Sequence, residues 1–193
     1  MTIVPRWEWR TFGESFGEAE ERFEAAEPGL VEESDETYVL STKSAASVKL
    51  RGGQVDVKHL EAVNEDGLEQ WLPVLKGEFP LAAADAAAML RELGMPPVEL
   101  ERDAYAQEQL VGELLSGHPE LRAVAVHKRR AHFTIGGAMA ELSDLAADGH
   151  TIRTIAIELP DPTVVIAAVR ELGLAGRPNT CMARGLATLV GFS

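Results

Sequence analysis

The sequence predicts an α+β protein whose antiparallel strands curl into a closed or nearly closed β-barrel, with a polar interior and helices packed outside. Three observations carry that expectation. Residues 47–51 and 54–58 alternate polar and apolar and flank Gly52-Gly53, the pattern of a tight hairpin. Basic residues (Lys49, Arg51, Lys58, Lys128, Arg129, Arg130) gather in predicted strands, while acids crowd the predicted helices, so a chain of net charge -13 separates an outside from an inside. The same alternation recurs in three other segments, each with one polar and one bulky apolar face.

Each element has its own warrant. Residues 3–12 read as a strand, with Arg6, Glu8 and Arg10 on one face and Trp7 and Trp9 on the other. Residues 14–26 follow helical spacing, with Phe16, Ala19 and Phe23 together and glutamates opposite, and Pro28-Gly29 ends the run. A strand follows over 30–41, then the hairpin. Residues 66–76, 81–94 and 103–116 are read as helices, the second stopped by Gly94 and Pro96-Pro97. Residues 121–135 form a long strand, turned by Gly136-Gly137 into 138–144 and by Asp148-Gly149 into 151–159. Pro160-Asp-Pro162 opens a helix to about 172, and a last helix follows Asn179. Without repeats, low-complexity tracts or an evident linker, residues 1–193 are expected to form a single domain.

Composition excludes several classes. Hydrophobic residues make up 46%, too many for a disordered chain. No apolar run is long enough to span a bilayer as a helix, and residues 1–10 carry no apolar signal core, so a cytoplasmic protein without membrane contact is expected. The lone Cys181 makes no internal disulfide or multi-cysteine metal site, and reads as a small buried apolar residue. The net negative charge repels nucleic acid. Trp7 and Trp9 read as packed beneath a helix, and Arg153 as facing outward with Ile155. His127 and His132 have opposite strand parity, so they cannot both face one site.

The polar faces must look either at solvent or at one another. For a lone hairpin solvent is the ordinary answer. Here Lys49, Arg51, Gln54, Asp56 and Lys58 share a face, as do Lys128, Arg130 and His132, and Glu141 and Ser143. If helices cover the apolar faces, barrel closure brings these charges together. Lys and Arg with a few carboxylates would suit a phosphate-rich anion bridged by a divalent metal.

This arrangement resembles the CYTH superfamily, the triphosphate tunnel metalloenzymes. The resemblance rests on the opening strand, on Asp35-Glu-Thr-Tyr38 with the basic hairpin at 48–58, on the strand bearing Lys128 and Arg130, and on the late strand ending in Glu158. Together these span nearly the whole chain. The family's opening Glu-x-Glu-x-Lys becomes Arg6, Glu8 and Arg10, and its late acidic pair becomes Ala156 and Glu158. The resemblance implies Arg10, Lys49, Arg51, Lys58, Lys128 and Arg130 as phosphate ligands. It implies Glu8, Glu158 and Glu141 as ligands of Mg or Mn. The function implied is binding, with or without hydrolysis, of a triphosphate or polyphosphate-type anion in the tunnel. An enzyme would be a metal-dependent triphosphatase; the lost acids favour equally a non-catalytic polyanion-binding or interaction module. A plain structural domain with a solvated polar sheet face is the third reading. The oligomeric state stays open, a homodimer included.

Overall fold

The computed structural model describes residues 4–193. Its strands are β1 (Arg6–Gly13), β2 (Leu30–Ser41), β3 (Ser47–Arg51), β4 (Gln54–Val63), β5 (Glu69–Glu78), β6 (Leu81–Ala82), β7 (Ala104–Tyr105), β8 (Leu121–Ile135), β9 (Ala138–Ala147) and β10 (His150–Leu159). Its helices are α1 (Glu18–Ala25), α2 (Ala83–Glu92), the short α3 (Gln107–Gln109), which widens into π geometry over Leu110–Leu115, α4 (Pro162–Glu171) and α5 (Met182–Leu189). The first residue of the expected opening strand, position 3, lies outside the described residues.

Eight antiparallel strands close a ring in the order β1-β10-β9-β8-β2-β3-β4-β5, and β5 returns to β1 through Arg6 opposite Trp71 and Glu8 opposite Glu69. The hairpin has the expected register, with Arg51 opposite Gln54 and Lys49 opposite Asp56. Gly52 and Gly53 turn it at φ 58° and 75°, values that a side chain disfavours. The outward faces are the apolar ones. Val48, Leu50, Val55 and Val57 are sealed beneath α2 and the π turn, with Met89, Leu90 and Leu110. Trp9, Ile155 and Ile157 are sealed beneath α1 and α4, with Phe23, Val165 and Val169. Fully burying each such side chain contributes about 1.5–3 kcal/mol, so the helices commit the polar faces to the interior. Asp161 caps α4 by accepting from the Thr163 amide at 2.8 Å, with Pro162 at the first helical position.

Two expectations fail. Residues 66–76 do not form a helix; 69–78 is the strand that closes the ring. Pro73 explains this, since it would break a helix interior but is tolerated beside the irregularity in the β4–β5 ladder. Residues 103–116 are not one helix either. Ala104 and Tyr105 pair with β6, and the remainder winds as α3 and the π turn around the buried Leu110 and Leu115. Among the described residues no helix is long and apolar enough to cross a membrane.

The barrel interior is graded rather than uniformly polar. Toward one end the side chains that share the inward parity are Phe12, Leu40, Val124, Val126 and Leu145, and α5 packs among them through Met182, Ala183 and Leu186. Gly185 makes this fit possible, because a Cβ there would stand 2.2 Å from the Phe12 ring. The segment before α5 is tied to β1 beyond the point where β5 leaves it. The Arg10 amide donates to Asn179 Oδ1 at 2.7 Å, and the Thr180 amide donates to the Arg10 carbonyl at 2.7 Å. Thus α5 forms a floor, and the charged half of the interior lies above it.

Candidate anion-binding site

Above that floor lies a cavity of about 400 Å³. Its lining holds six Lys or Arg side chains against four Asp or Glu, in a chain whose overall charge is strongly negative. The inward parity of four strands brings Arg10, Lys49, Lys58, Lys128 and Arg130 together, five of the six expected phosphate ligands. The sixth, Arg51, sits outside this cavity with a side chain 40% exposed, holding Glu36 at 3.3 Å. All three expected metal ligands, Glu8, Glu141 and Glu158, line the cavity.

The β1–β10–β9–β8 wall carries a tight ionic network. Arg10 is buried and donates to Glu8 (2.9 Å) and Glu141 (3.0 Å). Glu141 also accepts from Lys128 at 3.0 Å and lies 3.6 Å from Arg130, which donates to Glu32 at 2.7 Å. Burial alone would raise the Glu141 carboxyl, but Arg10, Lys128 and Arg130 outweigh it and hold it well below the usual carboxylate range. Burial would likewise lower Arg10; Glu8 and Glu141 reverse that and raise it. For Lys128 burial prevails over Glu141 and the ammonium is pulled below the ordinary lysine range. One donor on this wall is left over: Arg130 Nε is buried and without a partner.

The β2–β3–β4–β5 wall is organised differently. It holds two buried carboxylates: Glu69, which pairs with Arg184 of α5, and Glu36, which accepts from Tyr38 Oη at 2.7 Å and holds Arg51 near the barrel's edge. Burial would raise Glu36, but Lys49, with Tyr38 and the neighbouring cations, draws it down. Lys49 reaches it only at 3.9 Å, and burial lowers this ammonium despite the carboxylate. Among the described residues Lys58 and Lys76 line the cavity with no ion pair or side-chain hydrogen bond. Asp56 stands across the ladder from both Lys49 and Lys76.

Sequence reasoning missed Lys76, Glu36, Tyr38 and Glu32. Lys76 was hidden by the helix assigned to 66–76, which Pro73 argued against. The other three share the parity of Ser34 in β2, so the alternation that exposed the lysines could have exposed them. Of the histidines, His132 lines the cavity and pairs with Glu32 at 3.1 Å, whereas His127 is exposed and pairs with Asp35 at 2.9 Å. Cys181 is buried in the floor, where burial pushes its thiol up. Arg153 bridges outward to Glu20 of α1 at 3.0 Å and to Asp144 at 2.9 Å.

The same architecture occurs in solved structures. The Hippeastrum protein HpAC1, a proposed adenylyl cyclase described as having a dominant triphosphatase activity, superposes with a TM-score of 0.52 at 12% identity, covering 96% of each chain. A proposed adenylate cyclase from Bacillus halodurans gives 0.51 at 13% identity, over 93% of this chain and 94% of that one. The likeness is one of fold. No protein-family model and no curated protein matches the sequence. The barrel is therefore shown by architecture, and its chemistry has to be read from its own side chains.

Those side chains do not fit a resident divalent metal. Among the described residues no three His, Cys, Asp or Glu side chains gather in a metal-binding group. Each expected ligand instead faces a cation: Glu8 takes Arg10, Glu141 takes Arg10 and Lys128, and Glu158 takes Arg6 at 3.0 Å. A hard cation needs several unencumbered carboxylate oxygens, and each of these carboxylates is already bonded to a side-chain cation.

Proposed function

We propose that this barrel binds the phosphate groups of a phosphorylated small molecule, with triphosphate or polyphosphate-type anions as the first candidates. The observation that supports the reading is the pairing of a cation-rich cavity within the closed barrel with Lys58 and Lys76, which hold no carboxylate, and Lys49, which reaches one only at 3.9 Å. Lys49 and Lys58 are half-buried, where an ammonium without a close counter-charge is costly, and Lys76 is exposed; an anion supplies the missing charge. The orphaned Arg130 Nε offers a further donor from the opposite wall. In this reading Lys49, Lys58 and Lys76 contact phosphate oxygens directly. Arg10 and Lys128 hold the cavity's shape and potential through Glu141 rather than touching the anion.

Magnesium or manganese, if it takes part, enters as the counterion of the bound phosphate and not as a resident of Glu8, Glu141 and Glu158. Hydrolysis is a second reading, favoured by the triphosphatase activity in the description of the Hippeastrum structure. No general base has been found for it in this cavity, so binding without turnover is the primary proposal. The test is calorimetric titration with tripolyphosphate, with and without Mg, alongside phosphate release from the same samples. Saturable binding abolished by Lys58→Ala with Lys76→Ala is expected; heat without saturation would refute the reading, and phosphate release would establish the enzyme.

A further inference from the structure

The cavity is larger and less polar than a bare phosphate chain needs. Its volume, about 400 Å³, falls within the roughly 300–1,000 Å³ that enclose drug-sized organic ligands. Its lower part is apolar: Tyr38, Trp71 and Met182 meet there, on the side where α5 seals the barrel. Inorganic triphosphate would leave these surfaces against water, and a ligand with an apolar body would cover them. The charge points the same way. Lys58 and Lys76 hold no carboxylate, Lys49 reaches Glu36 only at 3.9 Å, and Asp56 stands among them. A phosphate monoester carries about −1.5 to −2 charges near neutrality, so three lysines against Asp56 and the more distant Glu36 match one or two phosphates better than three or more.

We infer that the ligand is an organic mono- or diphosphate whose apolar or aromatic body rests on Tyr38, Trp71 and Met182 while its phosphate takes Lys49, Lys58 and Lys76. This rests on the proposal that the barrel binds phosphate and narrows it to a class. The opposite wall contributes little to affinity in this scheme, since Glu8 and Glu141 already pair with Arg10 and Lys128.

The test compares three probes by calorimetry on the full chain: benzylphosphonate, methylphosphonate and tripolyphosphate. The first two share a non-hydrolysable head and differ only in the apolar body. Burying a ring is expected to make benzylphosphonate bind at least about tenfold tighter than methylphosphonate, and tighter than tripolyphosphate. Lys58→Ala with Lys76→Ala, changes at side chains without partners, should weaken both phosphonates by a similar factor. Equal binding of the two phosphonates, or tighter binding of tripolyphosphate than of benzylphosphonate, overturns the inference while leaving the phosphate proposal standing. Failure of all three probes overturns both.

Discussion

The two walls of the cavity carry similar residues and differ in how their charge is answered. On the β8–β9–β10–β1 side, Arg10, Lys128 and Arg130 close on Glu141 within 3.0–3.6 Å, Glu8 and Glu32 hold Arg10 and Arg130 as well, and the charge is answered inside the protein. On the hairpin side, Lys49 is 3.9 Å from its nearest carboxylate, and Lys58 and Lys76 have none in range. The difference teaches that cationic lining is not the same as anion-binding capacity. A cation already bonded to a buried carboxylate must give up that bond before it can take a ligand, whereas an unpaired one gains by binding. The first wall is read as a scaffold and the second as the contact surface.

Removing Glu141 should break this distinction most severely. Glu141→Gln leaves Lys128 buried without a counter-charge and Arg10 with Glu8 alone, and is expected to cost about 3–5 kcal/mol in urea denaturation at neutral pH. Any protein that remains folded should bind tripolyphosphate more tightly than wild type, since the scaffold wall becomes available. The pH dependence has a definite sign. Because the folded Glu141 carboxyl is held below its ordinary value, its stabilisation is present above the unfolded carboxylate range and is lost as pH falls toward the folded value. The variant should therefore show a shallower loss of stability on acidification than wild type.

Next in size is the effect of the contact wall on binding. Lys58→Ala and Lys76→Ala each remove one charge-assisted contact and should cost about tenfold in anion affinity apiece, measured by calorimetry. Stability should move by less than about 0.5 kcal/mol, because no partner is stranded. A loss of several kcal/mol there would erase the contrast between the walls.

A smaller effect should appear on the alkaline side. Burial holds the Lys49 ammonium below the ordinary lysine value, so anion affinity should begin to fall with rising pH before free lysine would titrate. Affinity constant up to pH 10.5 would place Lys49 outside the contact set. The smallest effect belongs to the rim. Arg6 and Glu158 pair at 3.0 Å with side chains 47% and 27% exposed, and Arg6→Ala should change thermal stability by no more than about 1 kcal/mol.

Much of the barrel was legible because alternation carries it. The parity of Lys49, Arg51 and Asp56 against Val48, Leu50 and Val57 survives intact, and Gly52-Gly53 pins the register. The strand that closes the ring was not legible, since 66–76 places Leu68, Trp71 and Leu75 at spacings that a helix also satisfies. Pro73 was the discriminating residue. For the site, parity brought Lys58, Lys128 and Arg130 to one cavity. It could not say which of them would be neutralised, because that depends on the distance to Glu141 across two strand pairings, a quantity with no signature in local sequence. The apolar floor was equally hidden: Met182 and Gly185 read as ordinary helix residues until the barrel shows what they face.

The stitching of Asn179 and Thr180 onto β1 has a consequence for how the molecule is made. The first strand of the ring pairs briefly with β5, but most of its hydrogen bonds come from the last strand, β10, and then from the segment beyond it. Contacts that join such distant parts of a chain are slow to form. On the ribosome, β1 must therefore wait, its edge unpaired, until residue 180 has cleared the exit tunnel, and it is during that interval that the nascent chain is most open to capture by a chaperone or by its neighbours.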